Sequence, residues 1–298
     1  MHNNFFEEFS FLCKQEGFKE IGFSDTYVQS DAFGKYKNWL NKGMNAEMEW
    51  MERNLESRLD IRKMFPWAKS YAIVLLPYFH NKTIGNKYSR YALLKDYHFV
   101  VKQKLRRVFA KLEPSYKELK WDIFVDSKPL LEKDLLEKTA LAWRGKHSLM
   151  INRELGSWFF IGGIALNFEY GKTHKTEESL CGTCTLCIDS CPTSAIVEPY
   201  ILDANRCISY NTIEKKGEID EQLKEVFGEQ IFGCDICQNV CPYNKDVLPN
   251  CDAELENEIL FQYLKSGNIP HSSNNYKKVF GGTPLMRTAY KKFLSNLS

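Results

Sequence analysis

An α/β domain followed by a smaller, cysteine-rich α+β domain is the architecture the sequence predicts, and three observations predict it. Apolar, β-rich runs alternate with amphipathic stretches up to about residue 170. Eight of the ten cysteines then crowd between Cys181 and Cys241. No repeat of solenoid length is present, and 298 residues with 44% hydrophobic content suffice for one large domain or two ordinary ones.

Taken in order, residues 5–13 place Phe5, Phe6, Phe9, Leu12 and Cys13 on one helical face, which makes Cys13 a core residue. Ile21, Gly22 and Phe23 read as a short strand. The run YAIVLLPY (71–78) is continuous and apolar, as a strand covered on both faces would be, and WDIFV (121–125) is another. Between them HFVVKQKLRRVFAKL (98–112) is an amphipathic helix. PLLEKDLLEKTALA (129–142) opens on a proline suited to a first turn and keeps the helical period, and SWFFIGGIAL (157–166) returns to strand character. A composition shift at HKTEESLCGTC (174–184) opens the second domain. The expected division is 1–172, 173–250 and a C-terminal extension, 251–298.

Lys plus Arg number 40 against 38 for Asp plus Glu, so a net charge of +2 offers no whole-chain case for nucleic acid; any basic surface is local. The segment from Asn274 to Ser298 holds Lys277, Lys278, Arg287, Lys291 and Lys292 and no acidic residue, and is expected to meet phosphates. Lys102, Lys104, Arg106, Arg107 and Lys111 share one predicted helix and read as its solvated face. No apolar run approaches a membrane span, and MHNNFFEEFS lacks the regions of a secretory signal. A cytoplasmic protein without a membrane partner is expected, and cysteines in a reducing compartment point to metal rather than disulfides.

The spacing of those cysteines is specific. Cys181, Cys184, Cys187 and Cys191 precede Pro192 with the spacing of bacterial ferredoxins, and Cys234, Cys237 and Cys241 precede Pro242. In two-cluster ferredoxins the cysteine before the proline ligates the other cluster. Cys181, Cys184, Cys187 and Cys241 then share one 4Fe-4S cluster, and Cys191, Cys234 and Cys237 lack one thiolate for the second. Cys207, in ANRCISY between the two runs, is the expected fourth ligand; Cys251, in NCDAELENE, reads as part of a solvated loop. Zinc is the other reading of the two runs, although zinc sites rarely show the Cys-Pro pattern.

The segment DSKPLLEKDLLEKTALAWRGKHSLMINRELGSWFFIG (126–162), together with CGTCTLCIDSCPTSAI, RCISYNTIEKKG and FGCDICQNVCPYN, resembles the epoxyqueuosine reductases from about Ile21 to Pro249. The resemblance implies cobalamin bound between the α/β domain and a ferredoxin-like domain with two 4Fe-4S clusters, an external electron donor, and reduction of epoxyqueuosine to queuosine at the wobble position of tRNA. That reaction takes two electrons and two protons and releases the epoxide oxygen as water. Asp126 matches the family's general acid; a carboxyl buried beside a corrin ring is expected to titrate high. On residue type alone, capping a helix near Pro129 is an equal reading of Asp126. By the same resemblance Arg58, Lys146, Ser157, Ser209, Asp235 and Ile236 touch cobalamin, although Arg58 and Lys146 would otherwise pass for surface charges. His147 reads as a polar group of the pocket rather than a metal ligand, and Trp143, Trp158, Phe159 and Phe160 as mostly core.

Two departures stand out. TALAWRG has alanines where the family usually has glycine at position 140 or 142, and the chain reads as a short form, a monomer without the C-terminal helical repeats that many members carry. The rival readings are a corrinoid reductive dehalogenase-like enzyme, which usually carries an export signal, and a non-enzymatic iron-sulfur electron-transfer module.

Overall fold

The computed structural model describes residues 2–26, 31–172 and 178–297. Its centre is a four-stranded sheet in the spatial order Glu20–Asp25, Ser70–Pro77, Phe159–Leu166, Trp121–Phe124. Every pairing in that sheet is antiparallel. Alternation of strands and helices along the chain leaves strand direction open, and here long crossings return each strand beside its partner in the opposite sense.

The central strand Ser70–Pro77 is buried along its whole length, as its unbroken apolar sequence requires. Ala72, Val74 and Leu76 point to one face with Ile164 and Leu166, where the helices His2–Gln15 and Tyr97–Leu112 cover them through Phe5, Phe9, Val101, Leu105 and Phe109. Tyr71, Ile73 and Leu75 point to the other face, against Ile61, Phe65, Leu130 and Leu136. Two cores thus follow from the two-residue period of one strand. Cys13 is fully buried in the first of them, as expected.

The segment expected to be helical over 129–142 is helical only at Glu132–Glu137. Ala140 closes it with φ +56°, a left-handed backbone that costs an alanine about 1–2 kcal/mol and a glycine almost nothing. The glycine expected there answers to this conformation. The composition shift at 174 begins outside the described residues, and from Ser179 onward the chain is short helices and turns around the cysteines.

Glu258–Lys265, Ser273–Phe280 and Tyr290–Ser295 fold back as helices. They form a third core with Ala92, Leu93, Ile213 and Phe232. Cys251, expected in a solvated loop, is half-buried against the first core. The backbone explains this: the amides of Asn250 and Cys251 both donate to the Phe79 carbonyl at 3.0 Å, carrying the segment along the end of the central strand.

Most of the basic group on Tyr97–Leu112 is internally neutralised. Lys104 is buried and meets Asp252 at 2.9 Å and Glu254 at 3.1 Å, Arg107 meets Glu16 and Glu254 at 2.7 Å, and Lys111 meets Glu16 at 3.7 Å. Burying an ammonium needs such partners. The charged pattern read as a solvated face is partly a clamp between helix and loop.

Gly163 lies opposite Phe124 across the sheet, and a methyl group built on it overlaps the Phe124 ring. Gly163→Ala is expected to destabilise the protein by about 1–3 kcal/mol through overpacking, read as a lower denaturant midpoint with unchanged slope.

Candidate redox and proton-transfer site

The eight clustered cysteines come from three stretches of chain, and all are free thiols. Short helices set their positions. Cys187 lies in the turn Leu186–Asp189 and Cys237 in Ile236–Asn239, and these two turns pack against each other. Cys207 and Cys241 each sit at an N-cap, of Ile208–Ile213 and Pro242–Lys245, with extended backbone before the helix starts. At an N-cap a sulfur faces unpaired amide protons: burial raises the Cys207 and Cys241 thiols, and the amides of Tyr210 and Ser209 and of Tyr243 and Asn244 offset part of that rise. Cys191 accepts the Ala195 amide at 3.3 Å.

The thiols' mutual repulsion divides them into two sets. Burial, then Cys181, Cys241 and Cys184, push the Cys187 thiol up to about 11. Burial pushes Cys234 up to about 12, with Cys207 and Cys191 among its neighbours. Cys207 feels Cys191, and Cys237 feels Cys234 and Cys207. These are the sets 181, 184, 187, 241 and 191, 207, 234, 237. Cys251 feels Glu256 and Asp252 instead, with no cysteine among its neighbours. Among the described residues no three His, Cys, Asp or Glu side chains are disposed to hold one metal ion; a four-iron cube instead spreads four thiolates over its corners. Cys237 also feels Cys187, so the two sets adjoin.

The segment 126–133 lies within electrostatic reach of the second set, since both Asp126 and Cys237 act on the charge of Lys133. Asp126 ends the strand Trp121–Phe124 with φ +46°. Its carboxyl, expected to be buried, is 68% exposed, because the left-handed backbone turns it out of the sheet. Tyr97 Oη donates to Asp126 Oδ2 at 3.0 Å, and His98 Nε2 lies 3.9 Å from the same oxygen. The capping reading of Asp126 fails: the helix starts at Glu132, Leu131 is its N-cap, and no side chain caps it.

Two neighbours that the sequence did not single out carry the unusual ionisation. Glu132 Oε1 accepts the Asp126 amide at 2.6 Å; burial, then the Asp126 charge, push its carboxyl up to about 8. Lys133 donates to the Ser148 carbonyl at 3.1 Å; burial, then Arg144, bring it down to about 8, and both Asp126 and Cys237 act on it. In LLEKDLL these two look like the polar first turn of any amphipathic helix, so sequence carried no signal for them.

The remaining expected residues differ in their surroundings, and only Asp235 and Ile236 of them line the same cavity. Arg58 is buried rather than a surface charge: Nη2 donates to the Trp50 carbonyl at 2.5 Å and Nε to that of Arg53 at 3.0 Å. Lys146 reaches the carbonyls of Gly182 at 2.7 Å and Cys184 at 2.9 Å, tying the sheet domain to the first cysteine loop. Ser157 is buried; its hydroxyl donates to Gln238 Oε1 and accepts from Asn244 Nδ2, each at 2.8 Å. Asp235 accepts the Arg90 amide at 2.7 Å, and with Ile236 and Arg90 it lines a cavity of about 350 Å³. Ser209 is half-buried in the helix after Cys207. His147 is buried; burial, then Lys133, bring it down to about 4, so it is neutral at pH 7. Its Nδ1 accepts the Leu149 amide, which leaves the proton on Nε2, a buried donor with no partner.

Eight thiols in two sets of four fit two 4Fe-4S cubes. The unpartnered His147 donor, the buried Arg58 and the half-buried Lys133 suit the peripheral amides and phosphate of a corrinoid.

Two family models match: "4Fe-4S double cluster binding domain" over residues 180–244 and "Epoxyqueuosine reductase QueG, DUF1730" over residues 58–127. The epoxyqueuosine reductase of Cyclobacterium marinum is 34% identical over 94% of this chain and 92% of its own length. That of Escherichia coli is 36% identical over 95% of this chain and 76% of its own. A crystal structure of an epoxyqueuosine reductase with a tRNA-Tyr epoxyqueuosine-modified stem loop is 25% identical, covers all of this chain and 80% of that one, and superimposes with a TM-score of 0.90. The Bacillus subtilis enzyme, solved with an aspartate-bearing catalytic loop swung out of the active site, gives 0.88 at 25% identity, over all of this chain and 81% of that one. A reductive dehalogenase at 11% identity and a TM-score of 0.50, covering 95% of this chain and 37% of its own, shares the fold alone.

Anaerobically reconstituted protein is expected to bind about eight iron atoms, two cubes of four. Cys207→Ser should lose roughly half of that iron, while Cys251→Ser keeps it all. The converse result would exchange the fourth ligand.

Proposed function

The chain belongs to the epoxyqueuosine reductase family, and from that premise we propose that it reduces epoxyqueuosine to queuosine at the wobble position of tRNA. It is an oxidoreductase whose cofactors are two 4Fe-4S clusters and cobalamin. One observation carries the reading for this chain: Asp126, the candidate proton source, and Cys237, a candidate cluster ligand, both lie near enough to act on the charge of Lys133.

In this reading Cys181, Cys184, Cys187 and Cys241 hold one cube and Cys191, Cys207, Cys234 and Cys237 the other. The second set lies on the cleft side, so electrons from an external donor enter through the first, whose loop exposes Gly182 and Thr183. Arg58, Lys146, Ser157, Ser209, Asp235 and Ile236 frame the cobalamin cleft. Bound there, cobalamin supplies the low-valent metal centre that the carbon–oxygen bond cleavage needs. The protein's own task is to hold the epoxide still and deliver protons. Asp126 gives one to the departing oxygen; its exposure leaves the carboxyl open to substrate, and Tyr97 orients it from behind. Ser157, whose hydroxyl is already committed to Gln238 and Asn244, frames the cleft by joining its two walls. The expected division at 1–172, 173–250 and 251–298 puts one wall in each of the first two domains.

The tRNA surface is narrower than the charge pattern suggested. Arg287 pairs with Glu214 at 2.7 Å and Lys292 is buried, donating to the Gly217 carbonyl at 3.1 Å. Both are structural. Lys277, Lys278 and Lys291 are exposed and are the tail cations placed to meet phosphates. No helix among the described residues is long and apolar enough to cross a membrane, and the enzyme is read as a cytoplasmic monomer.

Incubating the anaerobically reconstituted protein with cobalamin, a reductant and epoxyqueuosine-containing tRNA should convert epoxyqueuosine to queuosine in nucleoside analysis; no conversion would reject the function. Asp126→Asn should keep iron and cobalamin yet turn over on the order of a hundred to ten thousand fold more slowly. Changing Lys277, Lys278 and Lys291 to Gln should weaken stem-loop binding and flatten its log–log salt slope by up to about two; an unchanged slope would take the tail off the RNA.

A further inference from the structure

We propose that Glu132 is the positioning residue that fixes the backbone of Asp126 and so aims its carboxyl, an inference that rests on the proposed function only for its effect on turnover. Asp126 holds a left-handed φ of +46° with no glycine to ease it, so something outside the residue must hold it there. Its amide proton goes to Glu132 Oε1 at 2.6 Å, a partner six residues ahead rather than a strand neighbour. That bond stands where the ladder pairing of Phe124 with Gly163 has ended.

The hold is anchored in the core. Leu131 donates its amide to the Arg58 carbonyl at 3.1 Å, and Arg58 is itself buried and doubly bonded to main-chain carbonyls. Glu132 follows directly as the first residue of its helix. A continuous line therefore runs from Arg58 through Leu131 and Glu132 to the Asp126 amide. On the other side Tyr97 Oη holds Asp126 Oδ2 at 3.0 Å and Lys102 Nζ donates to Ser127 Oγ at 2.9 Å. Tyr97 is itself stacked on Phe160, 4.2 Å between centroids and 4° from parallel. Tyr97 and Lys102 grip side chains; among these three contacts Glu132 alone grips the backbone, and backbone direction decides where the carboxyl points. Glu132 stands behind Asp126 in this arrangement and acts through it.

The test compares Glu132→Ala and Glu132→Gln in the reconstituted holoprotein. Hydrogen–deuterium exchange, read as the difference between overlapping peptides that begin before Phe124 and end on either side of Asp126, reports the Asp126 amide. Glu132→Ala should speed that exchange at least about tenfold and lower kcat by about ten to a hundred fold, with KM for the tRNA stem loop within about twofold and iron and cobalamin contents unchanged. Glu132→Gln keeps an acceptor oxygen in the same place and should restore the protection and most of kcat. Unchanged exchange in Glu132→Ala, unchanged kcat despite faster exchange, or a Gln variant no better than Ala would each overturn the proposal. Should the parent protein fail to convert epoxyqueuosine, the function would fall while the exchange data still decide whether Glu132 holds Asp126.

Discussion

Eight thiols have to be gathered from three separate stretches of chain, and most of the second half of the protein answers to that demand. A free thiol taken out of water resists ionising, yet an iron cluster accepts only thiolates. The structure meets the conflict with main-chain amides: Cys207 and Cys241 cap helices, and Cys191 takes an amide from Ala195. Helices of four to six residues look too short to matter as helices. Their use is at their first turns, where amide protons have no other partner. Since the buried thiols hold their protons more tightly than free cysteine, assembling the clusters releases protons and is favoured as pH rises.

The sheet domain solves a different problem, that of presenting an exposed carboxyl, Asp126, at the end of a strand. The edge strand Trp121–Phe124 pairs with Phe159–Leu166 and stops at Phe124, and two residues on Asp126 leaves the sheet in a left-handed turn with its carboxyl exposed. The strain is met locally by Glu132, Tyr97 and the anchored Arg58. Lys104 and its acidic partners fasten the helix that carries Tyr97 to the segment that closes the domain.

How much of this could be read from sequence depended on whether a residue's role is set by spacing or by enclosure. The cysteines obey spacing, so even the choice of Cys207 over Cys251 followed from position relative to the two runs. The strand at 70–77 and the helix at 97–112 were legible because burial imprints a period on composition. Glu132 and Lys133 were not, since a charged pair at a helix start looks the same whether water or protein lies beyond it. Asp126 was found through family likeness, but its exposure was not foreseen, because φ at a strand end leaves no mark on composition. Charge runs misled for the same reason: Arg287 and Lys292 read as free cations, and only the fold shows Glu214 and the Gly217 carbonyl waiting for them.

The buried triangle of Ser157, Gln238 and Asn244 has a consequence for motion. A buried joint of this kind opens only if several hydrogen bonds break together, so the two sides separate rarely and as a unit. The Ser157 hydroxyl bonds both amide side chains, and Asn244 also bonds the Gln238 carbonyl and accepts the Ser157 amide, all shut away from water that could compete for them. Ser157 and the amides of Gln238 and Asn244 thereby act as a rivet between the sheet and the cysteine-bearing turns, and neither side can slide without leaving a buried polar group unpaired.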